Sequence, residues 1–199
     1  MKVYALTGGI ATGKSTVEEA LRGLGIPTLD ADVVAREVVE PGLPAYREIV
    51  EEFGRSVLDE ERRLDRRALG RVVYRDAEKR KRLEQITHPR IWASIWKKCA
   101  DLERAGEPIV VVSAALLVES GYHTRFDGVV VVRCTPDEQL RRIMNRDGFT
   151  EEQARRRIEA QMPIGDKVAV ADWIIDTEGT KHETAARAAE LVQAWRAGA

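Results

Sequence analysis

The sequence predicts an α/β protein built on a doubly wound parallel sheet of five strands, and three observations carry that expectation. Short apolar runs alternate along the chain with stretches of helical periodicity. The segments between successive runs are long enough to be crossover helices, which parallel strands require. The run Pro108-Ile109-Val110-Val111-Val112 is almost wholly β-branched, as suits a central strand covered on both faces.

In chain order, Val3-Tyr4-Ala5-Leu6 reads as the first strand, 16–24 as a helix, and Ile26-Pro27-Thr28-Leu29 as the second strand. Asp30-Ala31-Asp32 follows at once, with a helix over 33–39. Strand, helix and strand in this order form a βαβ unit. From 40 to 101 the chain is helix-rich: Pro41-Gly42 breaks it, and helical spacing resumes over 43–53, 65–74 and 78–101, with a bend expected at Pro89. The charges Glu78, Lys79, Arg80, Lys81 and Arg82 read as a solvated face, and His88 as a hydrogen-bonded structural residue. Gly128 to Arg133 repeats the composition of the central strand. Helices are expected over 136–147 and 151–161, a last strand at Trp173-Ile174-Ile175-Asp176, and a terminal helix over 183–195. The expected division is one domain with a core of 1–39, 107–135 and 170–199, an inserted helical lobe over 40–106, and a helical lid over 136–169.

Composition narrows the function. A net charge of -1 spread over 33% charged residues gives no footprint for nucleic acid or an anionic membrane. The two cysteines, Cys99 and Cys134, lie in unrelated apolar surroundings without metal-ligand spacing, as reduced core residues of a cytoplasmic protein would. The apolar stretches are strand-sized and no cleavable leader is visible, so secretion and membrane spanning are not expected. A monomer acting on small molecules is the expectation.

The informative stretch is Gly8-Gly9-Ile10-Ala11-Thr12-Gly13-Lys14-Ser15, followed by Thr16. It matches Gly-x-x-x-x-Gly-Lys-Ser and stands between a strand and a helix, the context that gives the pattern meaning. Its backbone N–H groups can wrap a polyphosphate at a positive helix end. Lys14 would reach the outer phosphates of ATP, and Ser15 would hold Mg²⁺. The fold expectation is thereby a P-loop NTPase-type sheet. Asp30 is suited to cap the following helix, which leaves Asp32 free, at the end of a strand expected beside the phosphate loop. Glu138 and Arg142, Glu151 and Arg155, and Glu152 and Arg156 stand four apart and can pair. Arg142 and Arg146 are also four apart, a repulsive placement unless an anion lies nearby, and they read as a lid over a transferring phosphoryl group.

A GTP switch would carry Asn-Lys-x-Asp, which is absent, and the only Asp-x-x-Gly, at Asp176 to Gly179, comes too late. Kinases acting on a phosphate oxygen need arginines but no base. Those acting on an alcohol need a carboxylate to orient the hydroxyl and take its proton, and Asp32 is the candidate. Another small-molecule or nucleotide kinase, or a binding protein that holds ATP without passing its phosphate on, stays open on the residues alone.

The chain resembles the dephospho-coenzyme A kinases over nearly its whole length. The likeness lies in Leu6-Thr7-Gly8-Gly9-Ile10, Asp30-Ala31-Asp32, Val39-Glu40-Pro41-Gly42, Leu64-Asp65-Arg66-Arg67-Ala68-Leu69, His88-Pro89 and Leu116-Leu117-Val118-Glu119. It continues in Gln139-Leu140-x-Arg142 to Arg146-Asp147, Arg157-Ile158 to Gln161, and Ala171-Asp172 before Ile175-Asp176. The resemblance implies ATP- and Mg²⁺-dependent phosphorylation of the ribose 3′-hydroxyl of dephospho-coenzyme A, the last step of coenzyme A synthesis. It also implies Asp32 as base, the lobe after it as acceptor-binding, and the segment from Arg142 to Gln161 as lid. The chain departs from the usual pattern at Ala115 (commonly Pro), Val118 (commonly aromatic), Thr177 (commonly Asn) and Ala11 (often Gly).

Overall fold

Continuous β-branched runs favour strands buried on both faces, and the computed structural model, which describes residues 1–74 and 76–198, puts them at the centre of one five-stranded sheet. The strands are β1 (Lys2–Gly8), β2 (Thr28–Asp30), β3 (Ile109–Ser113), β4 (Gly128–Arg133) and β5 (Trp173–Asp176), in the order β2-β3-β1-β4-β5. β1 pairs in parallel with β3 and β4, and β4 with β5. One expectation is corrected by this order. β2 does not neighbour β1, because β3 lies between them. The physical reason is burial: all of β3 is buried, whereas the three residues of β2 are half-buried and suit an edge.

Helices α1 (Lys14–Gly23), α2 (Ala31–Glu37), α3 (Pro44–Phe53), α4 (Arg66–Tyr74) and α5 (Ala77–Arg104) precede β3. After β4 come α6 (Pro136–Asp147), α7 (Glu151–Glu159) and α8 (Ile164–Val168), and after β5 comes α9 (Lys181–Ala197). α5 runs 28 residues through Pro89 without ending there. Asp30 N-caps α2 by accepting from the Asp32 N–H at 2.8 Å, and Thr150 and Thr180 form capping boxes with Gln153 and Glu183. None of the helices among the described residues is long and apolar enough to cross a membrane.

The chain divides into two compact units, Met1–Leu29 with Glu103–Ala199, and Asp30–Leu102. The first has the sheet as its spine. Alternate residues Tyr4 and Leu6 of β1 point to a core shared with Val17 and Leu21 of α1 and Leu191, Val192 and Trp195 of α9. Tyr4 stacks on Trp195 at 4.3 Å between ring centroids, and Trp173 meets Tyr4 edge-on at 5.3 Å. The second unit is helical, with its own core of Ala45, Ile49, Val57, Leu69 and Ile86. It begins at Asp30, ahead of residue 40, so α2 belongs to it.

Helix α8, which periodicity does not reveal, carries a fully buried lysine. Lys167 Nζ donates to the Ala115 carbonyl at 2.6 Å and lies 2.7 Å from the Glu119 carboxylate. The Thr7 hydroxyl donates to the same carbonyl, so the loop after β3 is fastened to β1 and to α8 together. Breaking one side of a buried ion pair strands the other charge, at a cost of about 3–5 kcal/mol. Lys167→Met should therefore lower unfolding free energy by roughly that amount, and Lys167→Met with Glu119→Gln by clearly less; urea unfolding monitored by tryptophan fluorescence reads both, and equal losses would exclude the pair as the cause.

Candidate active site

The end of β1 turns into α1 through a loop that only small residues can form. A Cβ on Gly8 would lie 2.6 Å from the Val132 carbonyl oxygen and 2.7 Å from Thr12 Oγ1. Gly13 has φ +91, and a Cβ there would lie 2.9 Å from Thr177 Oγ1. Ala11 has φ 57, so a residue with a side chain holds the left-handed conformation where a third Gly is common in the resembling kinases. The Thr12 hydroxyl donates to the Gly9 carbonyl at 2.9 Å and closes the turn. Left-handed residues flanking Thr12 make the curled backbone of an anion nest, and the first amides of α1 have no acceptor within the helix itself.

A cavity of about 510 Å³ opens over this turn, its wall formed by Ala11, Gly13, Ser15, Thr16, Arg142 and Arg146, among others. The size and the cationic lining suit a nucleoside triphosphate. Ser15 lines this cavity and its exposed hydroxyl makes no hydrogen bond to the other described residues, a hard oxygen donor of the kind Mg²⁺ accepts. Lys14 does not hang free: its ammonium donates to Glu18 Oε1 at 2.8 Å and to Ser113 Oγ at 2.6 Å. Ser113 in turn donates to Glu18.

The arginines of α6 are organised by neighbouring carboxylates rather than left in repulsion. Arg142 donates to Glu138 at 2.7 Å, to Thr177 Oγ1 at 2.9 Å and to the Thr177 carbonyl at 2.6 Å. Hydrogen bonding from Arg141, reinforced by Arg142, holds the Glu138 carboxyl down at about 2. A depressed carboxylate stabilises the fold above its ordinary pKa of 4.5, and that contribution fades progressively as pH falls from there through about 2. Arg146 pairs with Asp147 at 2.9 Å and stays exposed. The expected pairs Glu151 with Arg155 and Glu152 with Arg156 form as well.

Several contacts at the site are not announced by the phosphate-loop pattern itself. Gln161 accepts from the Ile10 N–H at 2.6 Å and Gln139 donates to the Ile10 carbonyl at 2.7 Å, so α6 and the turn after α7 bracket one residue of the phosphate loop. Thr177 donates to the Thr12 carbonyl at 2.6 Å. Glu18 and Ser113 complete the set; the available signal for Glu18 was its place among Val17 and Leu21 on the buried side of α1. Thr16 lines the cavity wall beside Ser15. Both cysteines are buried thiols, and burial raises Cys99 to about 11, so neither is a nucleophile here.

In the helical unit, the Asp32 carboxylate is exposed and makes no hydrogen bond among the described residues. Arg66 stands near enough to Asp32 and Arg36 to feel both charges, and burial lowers its pKa. Arg36, Arg63 and Arg66 line a cavity of about 270 Å³ in this unit.

A family model described as dephospho-CoA kinase matches residues 2–183. The dephospho-CoA kinase of Geobacillus kaustophilus is 45% identical over 192 residues, 96% of each chain. That of Geobacter sulfurreducens is 45% identical over 191 residues, 96% of this chain and 97% of its own. Among solved structures, the dephospho-CoA kinase of Campylobacter jejuni superposes with a TM-score of 0.75 at 29% identity, over 98% of both chains. A protein from Thermus thermophilus superposes with a TM-score of 0.85 at 35% identity, covering 97% of this chain and 96% of its own. The shikimate kinase of Acinetobacter baumannii, at 16% identity and a TM-score of 0.53 over 100% of this chain and 94% of its own, shares the fold alone. The phosphate loop, its lysine and the sheet that carries them thus stand in a chain that belongs to the dephospho-CoA kinase family.

Proposed function

We propose that this chain transfers the γ-phosphoryl group of ATP to the ribose 3′-hydroxyl of dephospho-coenzyme A, with Mg²⁺ as the divalent cation, as a cytoplasmic monomer with neither nucleic acid nor membrane as partner. The family supports the acceptor. The observation that carries the chemistry is the 8–15 loop, curled by Ala11 and Gly13 and open to a cavity that Ser15 and Arg142 line. Mg²⁺, when bound, neutralises charge on the phosphates, and Ser15 would hold it. Lys14 would exchange its contacts with Glu18 and Ser113 for the outer phosphates. Arg142, fixed by Glu138 and Thr177, offers a positive charge that needs no reorganisation as the transition state forms. Arg146 adds a second at the cavity wall.

The acceptor hydroxyl keeps its proton at neutral pH, so a carboxylate that orients it and takes the proton lowers the barrier. Asp32 is assigned that role. Its exposed carboxylate and its place just past the carboxyl end of β2 support the assignment, since ligands of open parallel sheets bind at that end of the strands. Arg36 and Arg66 have no carboxylate within ion-pair distance among the described residues, which suits an acceptor carrying a diphosphate.

Lys14→Ala should abolish ADP release in the presence of dephospho-coenzyme A. Asp32→Asn should bind ATP as the parent does while kcat falls by roughly 10²–10⁴; normal turnover by this variant in the same coupled assay would remove Asp32 from the mechanism. Nucleoside monophosphates in place of dephospho-coenzyme A should give no ADP above the acceptor-free rate.

A further inference from the structure

In P-loop NTPases, Mg²⁺ is shared between the loop Ser or Thr and an acidic residue at the end of a neighbouring strand. Here the neighbours of β1 are β3, which has Ser113 opposite Leu6 and ends in that hydroxyl, and β4, which ends in Arg133, so neither ends in a carboxylate. The next acid along the chain, Glu119, is taken by the buried Lys167. A carboxylate nevertheless reaches this place from α1. Glu18 is 6% exposed, accepts from the Ser113 hydroxyl, and holds Lys14 at 2.8 Å. Ser15 and Glu18 are three apart on α1 and so share a face, with Cβ atoms about 5–6 Å apart.

The charges make this arrangement unstable once nucleotide binds. When Lys14 turns to the phosphates, Glu18 is left buried with, among the described residues, only Arg22, 4.0 Å away and exposed, as a cation. A buried carboxylate without a counter-charge is costly, and a divalent cation at Ser15 would restore the balance. We infer that Glu18, aimed by Ser113, is the carboxylate that holds Mg²⁺ beside Ser15 in the nucleotide complex, in place of an acid at the end of β3, where Ser113 stands. The inference rests on the assignment of Ser15 to the metal, and the test separates the two.

Mn²⁺ binding in the presence of a non-hydrolysable ATP analogue, followed by electron paramagnetic resonance, reads the site without turnover. Glu18→Gln should weaken Mn²⁺ in this complex by about 10–100-fold, while nucleotide affinity in EDTA is unchanged or improved because Lys14 is released. Ser113→Asp in the Glu18→Gln background should recover most of the Mn²⁺ affinity. Parental Mn²⁺ affinity in Glu18→Gln, with loss in Ser15→Ala, would overturn the role of Glu18 and leave the metal at Ser15; parental affinity in Ser15→Ala as well would overturn the metal assignment itself. If Glu18→Gln does not fold, Ser113→Ala carries the test: it keeps the carboxylate but loses its aim, so a several-fold loss is expected and no change overturns the inference.

Discussion

The hydrogen bond from the Thr177 hydroxyl to the carbonyl of Thr12 holds the end of β5 against the phosphate loop, and it exists because Gly13 has no side chain. The same hydroxyl accepts from Arg142, which also reaches the Thr177 carbonyl. One buried threonine therefore links the loop to Arg142, although Thr12 and Arg142 are far apart in the chain. A longer side chain at position 13 would separate all three. Where the resembling kinases commonly carry Asn, a hydroxyl suffices for this junction, since it can donate and accept at once.

The two lysines with buried surroundings show how charge is handled in different parts of the same unit. Lys167 is wholly enclosed and its carboxylate partner has no other cation in ion-pair distance among the described residues, so the pair fixes the loop after β3. Lys14 is less buried, at 17% side-chain exposure, and shares its carboxylate with a serine hydroxyl and, more distantly, Arg22. When it leaves, the serine hydroxyl stays on Glu18, but the buried carboxylate needs another cation. Under the proposed function, an ammonium held this way is already ordered and mostly buried before a phosphate arrives, which reduces the ordering cost at binding.

Much of the core was legible in the sequence. The strands form where apolar runs stand between helical segments, and the phosphate loop lies where glycine spacing put it, because both signals are local and periodic. Strand order was not legible: nothing in Thr28-Leu29-Asp30 says that β3 will slip between it and β1. The bracket on Ile10 was equally hidden, since Gln139 and Gln161 are 129 and 151 residues from it and a glutamine has no pattern that marks it as a ligand of backbone. Glu18 was hidden differently. Four residues after Lys14 it reads as a surface helix pair, and only its burial against Ser113, 95 residues away, gives it weight.

The spacing of Arg142 and Arg146 pointed to an anion, and the way each is held separates what they can do with one. Arg142 is bound by an acid, a hydroxyl and a carbonyl, with 23% of its side chain exposed, so moving it breaks three contacts in a low-dielectric wall. Arg146 is 58% exposed and bound only to the adjacent Asp147, and exposed pairs of this kind contribute about 0–1 kcal/mol. An arriving phosphate can displace Asp147 from Arg146 at little cost, whereas it must come to Arg142 where Arg142 already is. Under the proposed function, the first arginine would fix the geometry that an incoming nucleotide meets, and the second would be free to follow it.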